Sequence, residues 1–153
     1  MANIRPVRSM LALGVAAVTV AVWGMGSASS SVYLDFRLPS GNIGCGYSTL
    51  PGEAPNLRCE ILSLLRPMPP RPKSCGVGVG GGVWGQAVAM APTGRASGRC
   101  ISDTVMNPSA PVLGYGERWA HGGFTCISRT TGLTCTNRDG HGWFLSRASS
   151  RIF

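Results

Sequence analysis

Apolar and polar positions alternate in short runs along most of the chain, the period of a half-buried strand rather than of a helix. Val32-Tyr33-Leu34-Asp35-Phe36-Arg37 alternates in part and predicts a first strand. Pro39-Ser40-Gly41-Asn42 supplies a turn, Ile43 to Tyr47 a second strand and Leu57 to Ile61 a third. Between the last two, Pro51-Gly52-Glu53-Ala54-Pro55 holds no regular element and reads as a loop. Strands are also expected over Val83 to Met90 and Trp143 to Leu145, and Gly98 to Ile101 carries Cys100. Gly123 to Ser128 and Gly132 to Asn137, rich in Thr and Ile, form two hairpin arms. Arg138-Asp139-Gly140 then turns the chain, Asp-Gly being a strong hairpin signal.

Pro67, Pro69, Pro70 and Pro72 exclude both helix and central strand, so this stretch runs as an extended connection. Only Glu60 to Arg66 admits a helical turn. The expected fold is therefore all-β or mainly β, a small disulfide-stabilised domain of short antiparallel strands and hairpins with at most one short helix.

The N-terminus changes the picture. Arg5 and Arg8 precede an apolar run from Leu11 to Trp23, followed by small and polar residues that include Gly26-Ser27-Ala28. Signal peptidase reads this order, and cleavage is expected after Ala28. The apolar run falls short of the about 20 residues that span hydrocarbon. Cys45 lies far beyond it, and Asn42 stands where a lipobox carries an aliphatic residue. Residues 1–28 are thus expected to be a signal peptide and 29–153 a single exported domain that meets a membrane only through that transient segment.

All six cysteines, Cys45, Cys59, Cys75, Cys100, Cys126 and Cys135, fall in the exported part. An even number behind a signal peptide reads as a disulfide framework. Six cysteines allow fifteen pairings, and sequential closure, Cys45–Cys59, Cys75–Cys100 and Cys126–Cys135, is the expected one. No C-x-x-C occurs and no Cys and His pair has finger-like spacing, so neither a metal nor another cofactor is expected. Gly76, Gly78 and Gly81 fit G-x-G-x-x-G by arithmetic alone, because a proline segment precedes them and the domain has no room for a parallel sheet.

Removing Arg5 and Arg8 takes the formal charge from +8 to +6, nearly all of it arginine. A basic exported protein suits an anionic envelope polymer or another secreted protein as partner. The arginines are scattered in sequence, which favours a solvated surface that keeps the protein soluble. No basic helix or stripe points to nucleic acid.

Several segments carry a resemblance. Phe36-Arg37-Leu38-Pro39-Ser40-Gly41-Asn42-Ile43-Gly44-Cys45 resembles the opening motif of a family of small exported actinobacterial proteins, many of them mycobacterial, of unknown function. Leu57 to Ile61, Pro69 to Pro72, Cys100 with Asp103-Thr104, and Leu113-Gly114-Tyr115-Gly116 continue it. The closing stretches Gly132 to Asn137 and Gly140-His141-Gly142-Trp143-Phe144-Leu145-Ser146-Arg147 are the most specific. The resemblance implies export, six cysteines and this size, but no activity. After Cys75 the family carries acidic and aromatic residues where this chain has Gly76-Val77-Gly78-Val79-Gly80.

Candidate chemistry is sparse. His141, between two glycines and just before Trp143, together with Arg138, makes a candidate binding group in which glycine lets a ligand approach and the indole stacks on it. The alternative is a turn histidine with Trp143 in the core. Trp84, Trp119, Trp143 and Phe144 pose the same choice between platform and core. No G-x-S-x-G is present, and no catalytic residue is assigned. The leading reading is a secreted, non-enzymatic binding or structural module of the cell envelope or extracellular space. One rival is a small envelope hydrolase using His141 or His121 with Asp103 or Glu117, which requires a histidine and an acid in one cleft. A secreted inhibitor or toxin-like scaffold is the other.

Overall fold

The computed structural model describes residues 30–76 and 81–153. The expected signal peptide and most of the Gly76–Gly81 pattern lie outside the described residues. Those described are all-β, with ten strands and no helix. Strands β1 (Val32–Arg37), β2 (Ile43–Thr49), β3 (Asn56–Ile61), β4 (Val83–Met90) and β5 (Ser97–Ile101) form one antiparallel meander. Strands β6 (Arg118–His121), β7 (Phe124–Arg129), β8 (Gly132–Thr136), β9 (Gly142–Leu145) and β10 (Ser150–Ile152) form a second. Ile61 closes β3 and the chain then turns, so the segment that admits a helical turn contains none. Glu60 sits opposite Ala87 and is buried in the sheet, and pairing outweighs local helix propensity there.

Alternation decides which side chains meet. Phe36, Ile43, Cys45, Leu57, Cys59 and Val88 of the first sheet share one core with Phe124, Cys126, Leu133, Cys135, Trp143 and Leu145 of the second. Two disulfides lie at its centre. Cys45–Cys59 joins directly opposed residues of β2 and β3, and Cys126–Cys135 does the same on β7 and β8, each with Cα atoms 4.1 Å apart. The Sγ atoms of Cys45, Cys59 and Cys135 lie within 4.8 Å of one another, so the two bridges stack across the sheets. All six cysteines are oxidised, Cys75 with Cys100, so this sulfur cluster holds no thiolate for a metal.

The connection from β5 to β6 crosses back over the outer face of the first sheet as a strap. Thr104 Oγ1 donates to Glu60 Oε2 at 2.6 Å, Val105 N donates to Glu60 Oε1, and Asn107 Nδ2 donates to Asp35 Oδ2. Gly44 and Gly46 of β2 leave the space it fills. A Cβ on Gly44 would stand 2.9 Å from Met106 Sδ, and one on Gly46 3.0 Å from Val105 Cγ1. The strap ends where Arg37 N donates to Pro111 O and Leu113 N to Arg37 O.

A second tie joins the sheets at their far end. Asn137, 7 % exposed, follows β8 and uses its whole side chain. Nδ2 donates to Ala91 O and Gly94 O of the β4–β5 turn, while Oδ1 accepts from the Asp139 and His141 amides. Asp139 Oδ2 accepts from Gly94 N at 2.7 Å, and Arg138 N donates to Pro92 O. The Asn137–His141 turn is therefore a clasp that holds one meander to the other.

Candidate functional site

Sheet registration separates the residues that sequence grouped together. Trp143 is 0 % exposed and fills the core, so it offers no face to a ligand. Its Nε1 has no hydrogen-bond partner. Trp143→Ala is expected to cost about 4 kcal/mol and Trp143→Phe much less, since phenylalanine keeps most of the volume and loses no hydrogen bond. Urea denaturation of the oxidised variants measures both. His141 is half-buried in the clasp, and Arg138 is exposed beside it with its guanidinium against Gly123. Trp84 donates Nε1 to Pro69 O, and Trp119 packs 5.2 Å from Phe36, so the four aromatics of the expected platform do not lie on one surface.

The histidines stand apart. Gly142 faces Thr136, Thr136 faces Thr125 and Thr125 faces Ala120, which puts His141 and His121 at one end of the second sheet but three strands apart, about 14 Å. His121 meets the Tyr47 ring edge-on at 4.6 Å. Glu117 lies four residues before His121 along an extended chain, about 13 Å away, and accepts Gly114 N at 2.7 Å. Asp103 lies on the outer face of the first sheet, where Arg58 Nη1 donates to it at 2.8 Å. That hydrogen bond and the Arg58 charge hold its carboxyl below the usual carboxylate range. It is ionised at neutral pH, and its hold on Arg58 weakens only as pH falls through that lowered value.

Carboxylates and cations part company across the molecule. Of the six acids, Asp35, Glu60, Asp103, Glu117 and Asp139 each accept a hydrogen bond within the fold, and Glu53 stands in the exposed β2–β3 turn. Among the described residues, Arg58 alone among the cations forms salt bridges, to Glu60 and Asp103. The second sheet is where the balance tips furthest toward cations. Residues 118–153 hold Arg118, Arg129, Arg138, Arg147 and Arg151 against the single acid Asp139.

The outer face of that sheet has a definite make-up. Pairing lines up Arg118, Ile127, Thr134, Phe144 and Arg151 in one row across β6 to β10. Thr125 and Thr136 belong to the next row. Ile127, Thr134 and Phe144 are part-exposed and the two arginines exposed. Among the described residues no strap crosses this face, in contrast to the other sheet. Arg118 Nη2 donates to Thr125 Oγ1, and the Arg151 guanidinium lies 5.1 Å from the Phe153 ring centre.

This face ends in a cleft of ≈ 250 Å³ between the β1–β2 turn, the β7–β8 turn and the chain after β9. Ser40, Tyr115, Arg129, Thr131, Ser146 and Arg147 are among its walls. Its frame is fixed by main-chain bonds. Gly41 N donates to Leu38 O, Gly116 N to Ser128 O and Ser146 N to Ser149 O. Gly132 adopts φ 147°, and a Cβ there would stand 2.4 Å from Leu145 O and 2.8 Å from the Phe144 ring. Ser40-Gly41 and Thr131-Gly132 both turn at this cleft. Sequence gave no sign of it, because Arg129 and Arg147 are far apart in the chain and only β8 between them brings them together.

No curated protein and no solved structure matches the chain. The model of a family of unknown function, DUF6636, matches residues 12–153, and the chain belongs to that family.

Proposed function

We propose that this protein is an exported, non-catalytic module that binds an anionic polymer in the cell envelope or extracellular space through the outer face of its second sheet. The carrying observation is the division of charge. Five of the six carboxylates serve the fold, while the sheet from β6 to β10 presents arginines with no acid on its strands. Guanidinium groups stay charged at any physiological pH and match carboxylate and phosphate geometry. Ile127 and Phe144 between the two edge arginines add apolar contact, and the threonines add hydroxyl donors and acceptors. Three disulfides in a domain of this size are typical of extracellular proteins, which supports export. The separation of both histidines from Asp103 and Glu117 weighs against the hydrolase.

Retention of the oxidised domain on immobilised polygalacturonate, compared with neutral dextran, tests this. Retention on the polyanion alone is expected, falling steeply between 0.05 and 0.5 M salt, as about 10 Å screening at 0.1 M requires for exposed charges. The double variant Arg118→Gln/Arg151→Gln is expected to elute several-fold earlier. Equal retention on both matrices, or turnover of the polymer abolished by His121→Ala or His141→Ala, would sink the proposal.

A further inference from the structure

Resting on that reading, we infer that the cleft at the end of the second sheet is a subsite for one acidic sugar unit, with Arg129 and Arg147 taking its anionic group and Tyr115 its ring. The argument begins with register. Arg129 pairs with Gly132, and Leu133 with Leu145, so Arg129 and Arg147 leave the same end of β7 and β9 with one strand between them. Two strand spacings are about 10 Å, a gap that two arginine side chains close over a single carboxylate or phosphate. Both are exposed, and neither forms a salt bridge among the described residues. No acid lines the cleft. The pair is thus left with a charge that only an outside group can match.

The remaining walls narrow the ligand. Ser40, Thr130 and Thr131 bring hydroxyls, which suit a polyhydroxylated partner that both donates and accepts, while the Ser146 hydroxyl is engaged with the Ser149 main chain. Tyr115 is 46 % exposed and stands on a turn held by Gly116 N to Ser128 O and Glu117 N to Gly114 O. An aromatic ring on a fixed turn at the rim of a polar cleft offers a stacking face for a sugar. Size points the same way, since ≈ 250 Å³ is below the about 300–1,000 Å³ of drug-sized sites and suits one ring rather than a chain. The rest of a polymer would lie along the Arg118–Arg151 row, with the cleft reading the charge of one unit.

The test uses the oxidised exported domain and titrates it with tri-galacturonate, followed by NMR shifts of backbone amides. Shifts are expected at residues 129–132 and 146–147. The double variant Arg129→Gln/Arg147→Gln is expected to lose at least about tenfold in affinity, the worth of one charge-assisted contact, and Tyr115→Ala several-fold. The control Arg95→Gln/Arg99→Gln, at the far turn and edge of the first sheet, is expected to bind as the parent does. If both arginine pairs weaken binding equally, the cleft is no subsite, while the polymer reading stands. If the parent binds neither tri-galacturonate nor polygalacturonate above dextran, both fall. Displacement of tri-galacturonate by equimolar inorganic phosphate would overturn the sugar part and leave a bare anion site.

Discussion

Replacing Cys45 and Cys59 together by alanine is expected to abolish cooperative folding of this domain at 37 °C. The bridge closes a loop of 14 residues, for which lost chain entropy in the unfolded state amounts to about 3 kcal/mol. Both sulfurs are 0 % exposed and pack against Cys135 across the core. Their removal adds a cavity term of about 2 kcal/mol or more. Together these approach the whole stability of a domain with a net 5–15 kcal/mol, as is typical. The Cys75–Cys100 bridge closes a longer loop of 25 residues, which in the same model is worth about 0.5 kcal/mol more. Cys100 is exposed, however, and Cys75, though only 2 % exposed, lies outside the shared core, so removing this bridge leaves a smaller cavity there. The buried pair is therefore expected to matter more although its loop is shorter. Urea denaturation of the two double variants, followed by circular dichroism, decides it. A larger loss for Cys75→Ala/Cys100→Ala would show that loop entropy outweighs core packing here. Exposure of Cys100 also makes its bridge the first to open under mild reductant, which mass spectrometry of alkylated peptides reads directly.

The second large effect is expected at Asn137. Alanine there leaves the Ala91 and Gly94 carbonyls and the Asp139 and His141 amides without their side-chain partner. Stranded, partly buried polar groups make this about 3 kcal/mol, or a fall of roughly 10 °C in melting temperature. Asn137→Asp is expected to be no better. It keeps the acceptor but sets a carboxylate against two carbonyl oxygens. His141→Ala should cost under about 1 kcal/mol, because His141 joins the clasp through its backbone. Thermal melts of the three variants test the clasp, and a His141→Ala loss equal to that of Asn137→Ala would refute it.

These two sites bear on how the closing motif is read. Histidine between glycines beside an indole suggests ligand chemistry when met as text. In the folded chain Gly142 is needed because a Cβ would stand 1.9 Å from Cys135 O in the paired strand β8. Trp143 is needed for volume, and Asn137 for the clasp. The same residue types serve backbone proximity and core filling, and sequence does not separate those uses from binding.

Local pattern determined a good deal. The alternation of Val32 to Arg37 and Val83 to Met90 gave strands with the bounds later found for β1 and β4, because a side-chain period of two is a local property. Pro67 to Pro72 remained irregular for an equally local reason, a ring that removes a donor and fixes φ. The last strand, β10, was not legible. Ser150-Arg151-Ile152 has one strongly apolar residue and becomes a strand only by pairing with β9. Tertiary structure decided how charge is displayed. Arg118, Arg129, Arg147 and Arg151 all fall within residues 118–153, but only antiparallel pairing sets them around one sheet, while acids elsewhere bind the strap, the clasp and Arg58. Hydrophobic period is written in neighbouring residues, whereas a binding surface is written in register, which couples residues the chain keeps far apart.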